Sequence, residues 1–290
     1  MRRIPVAGGD LAVHELGGGD VTVVALHGIT ANGLTWLRLA GALDGTARVL
    51  APDLRGRAAS AGTTSPRGLG AHVDDLLAVL DAYGLENTVL IGHSMGAYVA
   101  ALAGARHPDR FAGVVLVDGG VAFPPPPDLD IDARLVATIG PAMQRLSMTF
   151  ASPAAYLDFW RPHPAVGPLL TGPTAHDVEQ YLQHDLVRDG AEFRSSCVAE
   201  VIRADGADVL ADPETHRAAA AATVPTSLLW AERGLLDQAP GLLTAESIEA
   251  AGLPSTVDLR FVPDVNHYSI IIGDAGVRTV AETVRRHLHR

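Results

Sequence analysis

The sequence predicts an α/β fold, with a mostly parallel central sheet flanked by helices and broken by one helical insertion. Three observations carry that prediction. Strand-like and helix-like segments alternate from about residue 11 to residue 117, the order expected of a parallel sheet covered on both faces. The alternation stops at the stiff, extended run Pro124-Pro125-Pro126-Pro127, after which the chain reads as helical to about Ala222. It resumes at Pro225. A length of 290 residues suits one such core with an insertion, and 48% apolar residues supply its interior. The expected organisation is a core of 1–122 and 223–290 with a helical cap of 123–222.

Taken in order, Leu11 to Leu16 reads as a strand and Gly17-Gly18-Gly19-Asp20 as a tight turn. Val21 to Leu26 is a continuous apolar, β-branched run, which suits a strand buried on both faces. Asn32 to Leu43 has helical spacing, and Ala47 to Ala51 reads as a strand. Leu69 to Tyr83 repeats Val73, Leu76, Leu77 and Leu80 at helical intervals, and Gly84 stops it. Thr88 to Ile91, Met95 to Arg106 and Gly113 to Val117 then read as strand, helix and strand. Beyond the insertion, which shows no convincing strand, Thr226 to Trp230 and Leu259 to Val262 read as strands and Val277 to His287 as the last helix.

Composition excludes several classes. The net charge of −11 argues against a nucleic-acid groove and against an anionic membrane surface. All 22 basic residues are arginine, so lysine Schiff-base and P-loop chemistry are out. The lone Cys197 reads as a small buried apolar residue. Neither a secretory h-region nor a membrane-length apolar run is present, so the expected compartment is the cytoplasm. No cofactor is implied, and no metal-ligand spacing is seen: His14, His72 and His107 are isolated, and Pro162-His163-Pro164 reads as a turn. The expected partner is a small-molecule substrate, and a homodimer is compatible with the chain.

The chemistry concentrates in a few residues. Gly92-His93-Ser94-Met95-Gly96 is G-x-S-x-G between a strand and a helix, where a sharp turn lifts the serine hydroxyl above the sheet edge. A serine needs a base to become a nucleophile. His267, in Val265-Asn266-His267-Tyr268, lies on the loop after the last strand, at the sheet edge where open α/β sheets build sites. The third member should be a carboxylate orienting that imidazole. Asp237, after Thr226 to Trp230, is the preferred position; Asp118, at the end of Gly113 to Val117, is the alternative; Glu232 is a third choice. An oxyanion hole needs two backbone N–H donors. Met95 and Ile29 are the expected pair, the latter on the loop that begins His27-Gly28.

These residues resemble the α/β-hydrolase fold superfamily along nearly the whole chain. The resemblance rests on His27-Gly28, Asp53-Leu54-Arg55-Gly56-Arg57, Gly92 to Gly96 and His267. It implies an oxyanion loop at His-Gly, a structural turn at Asp-x-Arg-Gly, and a cap inserted after the sixth core strand. One departure matters: the place where relatives often carry the acid is Gly234 here, so the acid is expected either shifted to Asp237 or on the preceding strand at Asp118, 24 residues after Ser94. Relatives that open epoxides or displace halides carry aspartate at the nucleophile position, so Ser94 argues against both activities.

Met143, Met148, Phe150, Tyr156, Phe159 and Trp160 of the insertion, with Trp36 and Phe123, are candidates to line an apolar pocket over Ser94. The reading that follows is a serine hydrolase cleaving a carboxylic ester of a small to medium, partly apolar substrate. Its alternatives are lactone, amide or carbon–carbon cleavage on the same residues, or a non-catalytic ligand-binding member of the fold.

Overall fold

The computed structural model describes residues 1–121 and 130–289. Along the chain the strands are β1 (Arg2–Val6), β2 (Gly9–Leu16), β3 (Val21–Leu26), β4 (Ala47–Pro52), β5 (Thr88–His93), β6 (Phe111–Val117), β7 (Thr149–Phe150), β8 (Leu186–Asp189), β9 (Glu192–Ser195), β10 (Thr226–Arg233) and β11 (Asp258–Asn266). The α-helices are α1 (Leu37–Leu43), α2 (Leu69–Ala82), α3 (Met95–Arg106), α4 (Ile131–Leu146), α5 (Pro153–Trp160), α6 (Ala175–His184), α7 (Ala199–Ala211), α8 (Pro213–Ala218), α9 (Ala245–Ala250), α10 (Ser269–Ile272) and α11 (Asp274–Leu288).

Eight strands form one sheet in the order β1-β2-β4-β3-β5-β6-β10-β11. The β1–β2 and β2–β4 pairs are antiparallel and the rest parallel. The chain leaves β3 toward β4 on one side and returns to β5 on the other, so the topological switch lies between the carboxyl ends of β3 and β5. Ser94 follows β5 there, and His27-Gly28 follows β3. Alternation along β3 builds both faces: Val23 and Ala25 pack with Leu39, Leu43 and Val280, while Val24 and Leu26 pack with Val73, Val99 and Leu102. β1 is not read from the sequence, because a short edge strand with two arginines and Pro5 carries little of the usual strand signal.

Between β6 and β10 the described residues are mostly helical, as expected, but β7, β9 and β8 form a small antiparallel sheet, correcting the expectation of no strand there. These strands hold only two to four residues, too short for a period to register. Buried polar contacts fasten this region to the core. Asp205 of α7 pairs with Arg57 at 2.6 Å and accepts from His72 at 2.9 Å, all three fully buried. His184, ending α6, donates to Asp53 at 2.8 Å; His14 donates to the same oxygen at 3.2 Å, and the backbone N–H groups of Gly33 and Ala59 supply two more bonds. Burial by itself would raise the Asp53 carboxyl, but the donors from His14 and His184 outweigh it and hold it well below the usual carboxylate range.

His14 is therefore not isolated: His14, Asp53 and His184 bring ligand-type atoms within 4.8 Å of one another, and mutual hydrogen bonding already occupies them. A carboxyl held low in the folded state stabilises above its unfolded value and loses that contribution as pH falls. Asp53→Asn is expected to lower stability by about 3 kcal/mol, seen as a lower urea midpoint at neutral pH, and the wild-type advantage should shrink below about pH 4.

Candidate active site

Ser94 sits at the turn from β5 into α3 with φ +55° and ψ −122°, a conformation a non-glycine residue holds only when its surroundings enforce it. The surroundings are glycines and one ladder bond. A Cβ on Gly92 would lie 2.1 Å from the Gly96 carbonyl oxygen, and one on Gly96 would lie 2.3 Å from that of Leu26. The Ser94 N–H bonds the Val117 carbonyl at 3.0 Å, so the turn is locked to β6.

Asp118 follows β6 with φ +47° and is 1% exposed. Its N–H donates to the Leu229 carbonyl at 2.7 Å, and its Oδ1 accepts from the Ala231 N–H at 3.0 Å, so β10 holds both its backbone and its side chain. Its other oxygen, Oδ2, lies 2.6 Å from Nδ1 of His267. His267 is itself buried and held from behind: His93 Nε2–H donates to its carbonyl at 2.9 Å. Burial, reinforced by the neighbouring His267, keeps His93 well below the ordinary histidine value, so it acts as a neutral donor.

Asp237, the position preferred from the sequence, is not brought to His267. Its Oδ1 is taken by Arg233 Nε at 2.8 Å and Asn266 Nδ2 at 2.9 Å. The Arg233 guanidinium, four residues earlier, and then Asn266 hold its carboxyl below the usual range. Glu232 instead accepts from the Asp264 N–H at 2.7 Å. Asn266 Nδ2 also reaches the Ala165 carbonyl at 3.4 Å, and its side-chain Oδ1 accepts from the N–H groups of Tyr268 and Ser269 in the turn. Asp237 thus braces the loop that carries His267 without touching it.

Two backbone N–H groups beside Ser94, those of Ile29 and Met95, have no partner among the described residues. The Gly28 carbonyl accepts from His27 Nδ1–H at 2.8 Å and from the Ala31 N–H at 3.1 Å. In a planar trans peptide the N–H points opposite the C=O, so the Ile29 N–H is turned to the other side and finds no partner among the described residues. The Ser94 carbonyl likewise accepts from Ala97, which leaves the Met95 N–H free at the helix start. The loop is gripped further by two buried guanidinium groups: Arg57 Nε donates to the Ile29 carbonyl at 3.0 Å, and Arg145 Nη2 to the Thr30 carbonyl at 3.1 Å.

A cavity of about 370 Å³ opens over these residues, lined by Gly28, Ile29, Ser94, Met95, Asp118 and His267 together with Trp160. The cavity is mainly apolar; the candidate Phe159 lines it, and so do Leu135, Leu235, Leu243 and Ile271, which the sequence did not single out. Several expected wall residues stand elsewhere. Trp36 is fully buried in the core beside Leu39 and Val49. Tyr156 turns its hydroxyl to Arg145 at 2.6 Å and Asp185 at 2.7 Å, inside the cap's buried network. Met143 on α4 and Met148 do not reach the cavity, nor does Phe150, which packs on Tyr156. Phe123 and the proline run lie outside the described residues.

His27 lies behind the loop, not in the cavity wall. Its Nδ1–H donates to Gly28 and its Nε2 accepts from the Leu54 N–H at 2.9 Å, which fixes the neutral tautomer. Burial lowers it to about 3. A histidine neutral when folded must take up a proton on unfolding below about pH 6.5, so it stabilises fully above that value and progressively less as pH falls. His27→Gln keeps an acceptor for Leu54 and cannot protonate; its unfolding midpoint is expected to fall less between pH 7 and pH 5 than that of the wild type, as read by thermal melts across that range.

The comparisons agree with this architecture. A family profile described as "alpha/beta hydrolase fold" matches residues 21–271. The chain is similar to Lipase LipV of Mycobacterium tuberculosis, 40% identical over 39% of this chain and 43% of that one. It is similar to the putative carbamate hydrolase RutD of a Caulobacter species, 35% identical over 37% of this chain and 41% of that one. The chain thus spans less than half the length of these curated relatives. Among solved structures, that of E-2-(acetamidomethylene)succinate hydrolase superposes with a TM-score of 0.79 at 20% identity, over 100% of this chain and 98% of the other, a likeness of fold. With the profile spanning both the turn at Ser94 and the loop at His267, the chain belongs to the α/β-hydrolase fold family.

Proposed function

We propose that this protein is a serine hydrolase that cleaves a carboxylic ester of a small to medium, partly apolar substrate through an acyl-serine intermediate, with Ser94 as nucleophile, His267 as base and Asp118 as the orienting acid. The observation that carries the reading is the 2.6 Å contact between His267 Nδ1 and Asp118 Oδ2, made at the same cavity that Ser94 lines. With Nδ1–H donating to the carboxylate, Nε2 carries the lone pair, which is the tautomer a base requires.

In the proposed reaction, Ser94 Oγ attacks the substrate carbonyl as its proton passes to His267 Nε2. The negative charge on the former carbonyl oxygen is received by the Ile29 and Met95 N–H groups. Collapse of the tetrahedral species breaks the ester C–O bond, and the imidazolium returns its proton to the leaving alkoxide. Water then attacks the acyl-serine, giving a proton to His267; collapse of this second tetrahedral species breaks the acyl–Oγ bond, the imidazolium returns the proton to Ser94 Oγ, and the carboxylic acid leaves. Asp118 stays ionised throughout and stabilises the imidazolium. The mainly apolar lining favours a substrate with an uncharged chain next to the scissile carbonyl.

A fluorophosphonate probe is expected to label Ser94 in the wild type and to leave Ser94→Ala unlabelled; labelling that survives the substitution, or no labelling of the wild type, would sink the reading. With para-nitrophenyl esters, Asp118→Asn should lose about 10⁴-fold in turnover. Asp237→Asn should keep turnover within about tenfold and lower thermal stability instead, because it releases Asn266 and Arg233. The reverse ranking would return the acid's role to Asp237.

A further inference from the structure

On the cap side of the cavity, His163 follows α5 in Pro162-His163-Pro164. Its backbone is tied down at both ends, the N–H to the Trp160 carbonyl at 3.0 Å and the carbonyl to the Gly167 N–H at 2.7 Å. Its ring is tied as well. Nδ1 faces the N–H groups of Ala165 and Val166, each at 3.3 Å, and since both are donors Nδ1 must accept. The proton therefore sits on Nε2. The ring lies against Trp160 at 5.4 Å and edge-on to Tyr268 at 5.7 Å, which itself meets His267 at 5.6 Å. His163 lines the cavity, and its Nε2–H has no partner among the described residues. Burial lowers its pKa, so the ring is neutral at pH 7.

The remaining polar groups on that wall are also uncharged. Tyr181 and Tyr268 line the cavity, and burial raises both phenols, that of Tyr268 to about 12. Among the described lining residues only Asp118 and Arg134 carry formal charge; Asp118 is engaged by His267, and Arg134 is exposed at the rim. A neutral, rigid N–H donor in a mainly apolar wall discriminates by hydrogen bonding, since a group lacking an acceptor leaves that donor unpaired.

We propose that His163 is a specificity-determining residue whose Nε2–H receives a second, uncharged oxygen of the substrate, so that the preferred esters carry a carbonyl, ether or hydroxyl oxygen along the chain beyond the scissile group. This rests on the reading of Ser94 as nucleophile, and the test separates the two. Binding is measured by calorimetry in a Ser94→Ala background, where no turnover intervenes, using para-nitrophenyl hexanoate, its 4-oxo and 5-oxo derivatives, and the monoester of adipic acid. At least one oxo ester should bind about fivefold or more tighter than hexanoate. His163→Asn places an oxygen where Nδ1 was, keeping the acceptor for Ala165 and Val166, and its shorter amide leaves no donor at the Nε2 position; it should keep the melting temperature near that of its parent and erase the preference. His163→Gln places an amide N–H where Nε2 was and should restore much of the preference while melting lower.

Equal binding of hexanoate and both oxo esters, a preference that persists in His163→Asn, or tightest binding of the adipate monoester would overturn the proposal. Failure of the wild type to react with fluorophosphonate would remove the hydrolase reading and leave the binding result to stand by its own outcome.

Discussion

The Asp118 carboxylate has one oxygen on the Ala231 N–H and the other on His267, so a single buried group joins the ends of β6, β10 and the loop after β11. Its backbone N–H is spent on Leu229, and the glycine that follows it packs against the Ser94 backbone, where a Cβ would come 2.4 Å from the Ser94 carbonyl oxygen. Position in this site is therefore set by sheet register. Ser94 and Asp118 stand at the carboxyl ends of parallel strands, and neighbouring strands hold them through ladder-type bonds, while His267 is held by the side chains of Asp118 and His93. Preorganisation of this kind lets the dipoles around a developing charge act without rearranging when it forms.

The second organising feature is the pair of arginines that reach the loop after β3 from opposite sides. Arg57 comes from the core and is held by Asp205 of the cap; Arg145 comes from the cap and is held by Asp185. Both are essentially fully buried, and each passes a donor to a carbonyl of Ile29 or Thr30. Cys197 belongs to the same setting, buried against Asp185 and the Thr30 carbonyl, with its thiol pushed up to about 12 chiefly by burial. It is an inert filler here, as its isolation in the sequence suggests.

Much of this was readable before the fold was seen. β3, β5 and β6 announce themselves as runs of mostly apolar, often β-branched residues because both faces of a central parallel strand are buried. Ser94 and His267 were legible because a glycine-flanked serine at a strand-to-helix turn and a histidine after the last strand are positions, not merely residue types. Which carboxylate meets His267 was not, because Asp118 and Asp237 both follow core strands, and only in space do Arg233 and Asn266 engage Asp237 while Asp118 reaches the imidazole. The cavity wall was legible only in bulk. On α5, Phe159 and Trp160 face the cavity while Tyr156 serves the Arg145–Asp185 pair, a division that aromatic content alone does not reveal. His163 reads as a turn residue, which it is; that the turn consumes Nδ1 and leaves Nε2–H over is not legible in the sequence.

The sockets that receive the cap lie in the core sequence itself: Asp53 awaits His184, and Arg57 and His72 await Asp205. An insertion exchanged for that of a relative, cut cleanly at its boundaries, would leave the buried Arg57 guanidinium without its carboxylate and would take one of four donors from Asp53. The heritable module in this protein is consequently discontinuous. A fragment that is to keep these contacts has to carry the insertion together with Asp53, Arg57 and His72 of the flanking sequence.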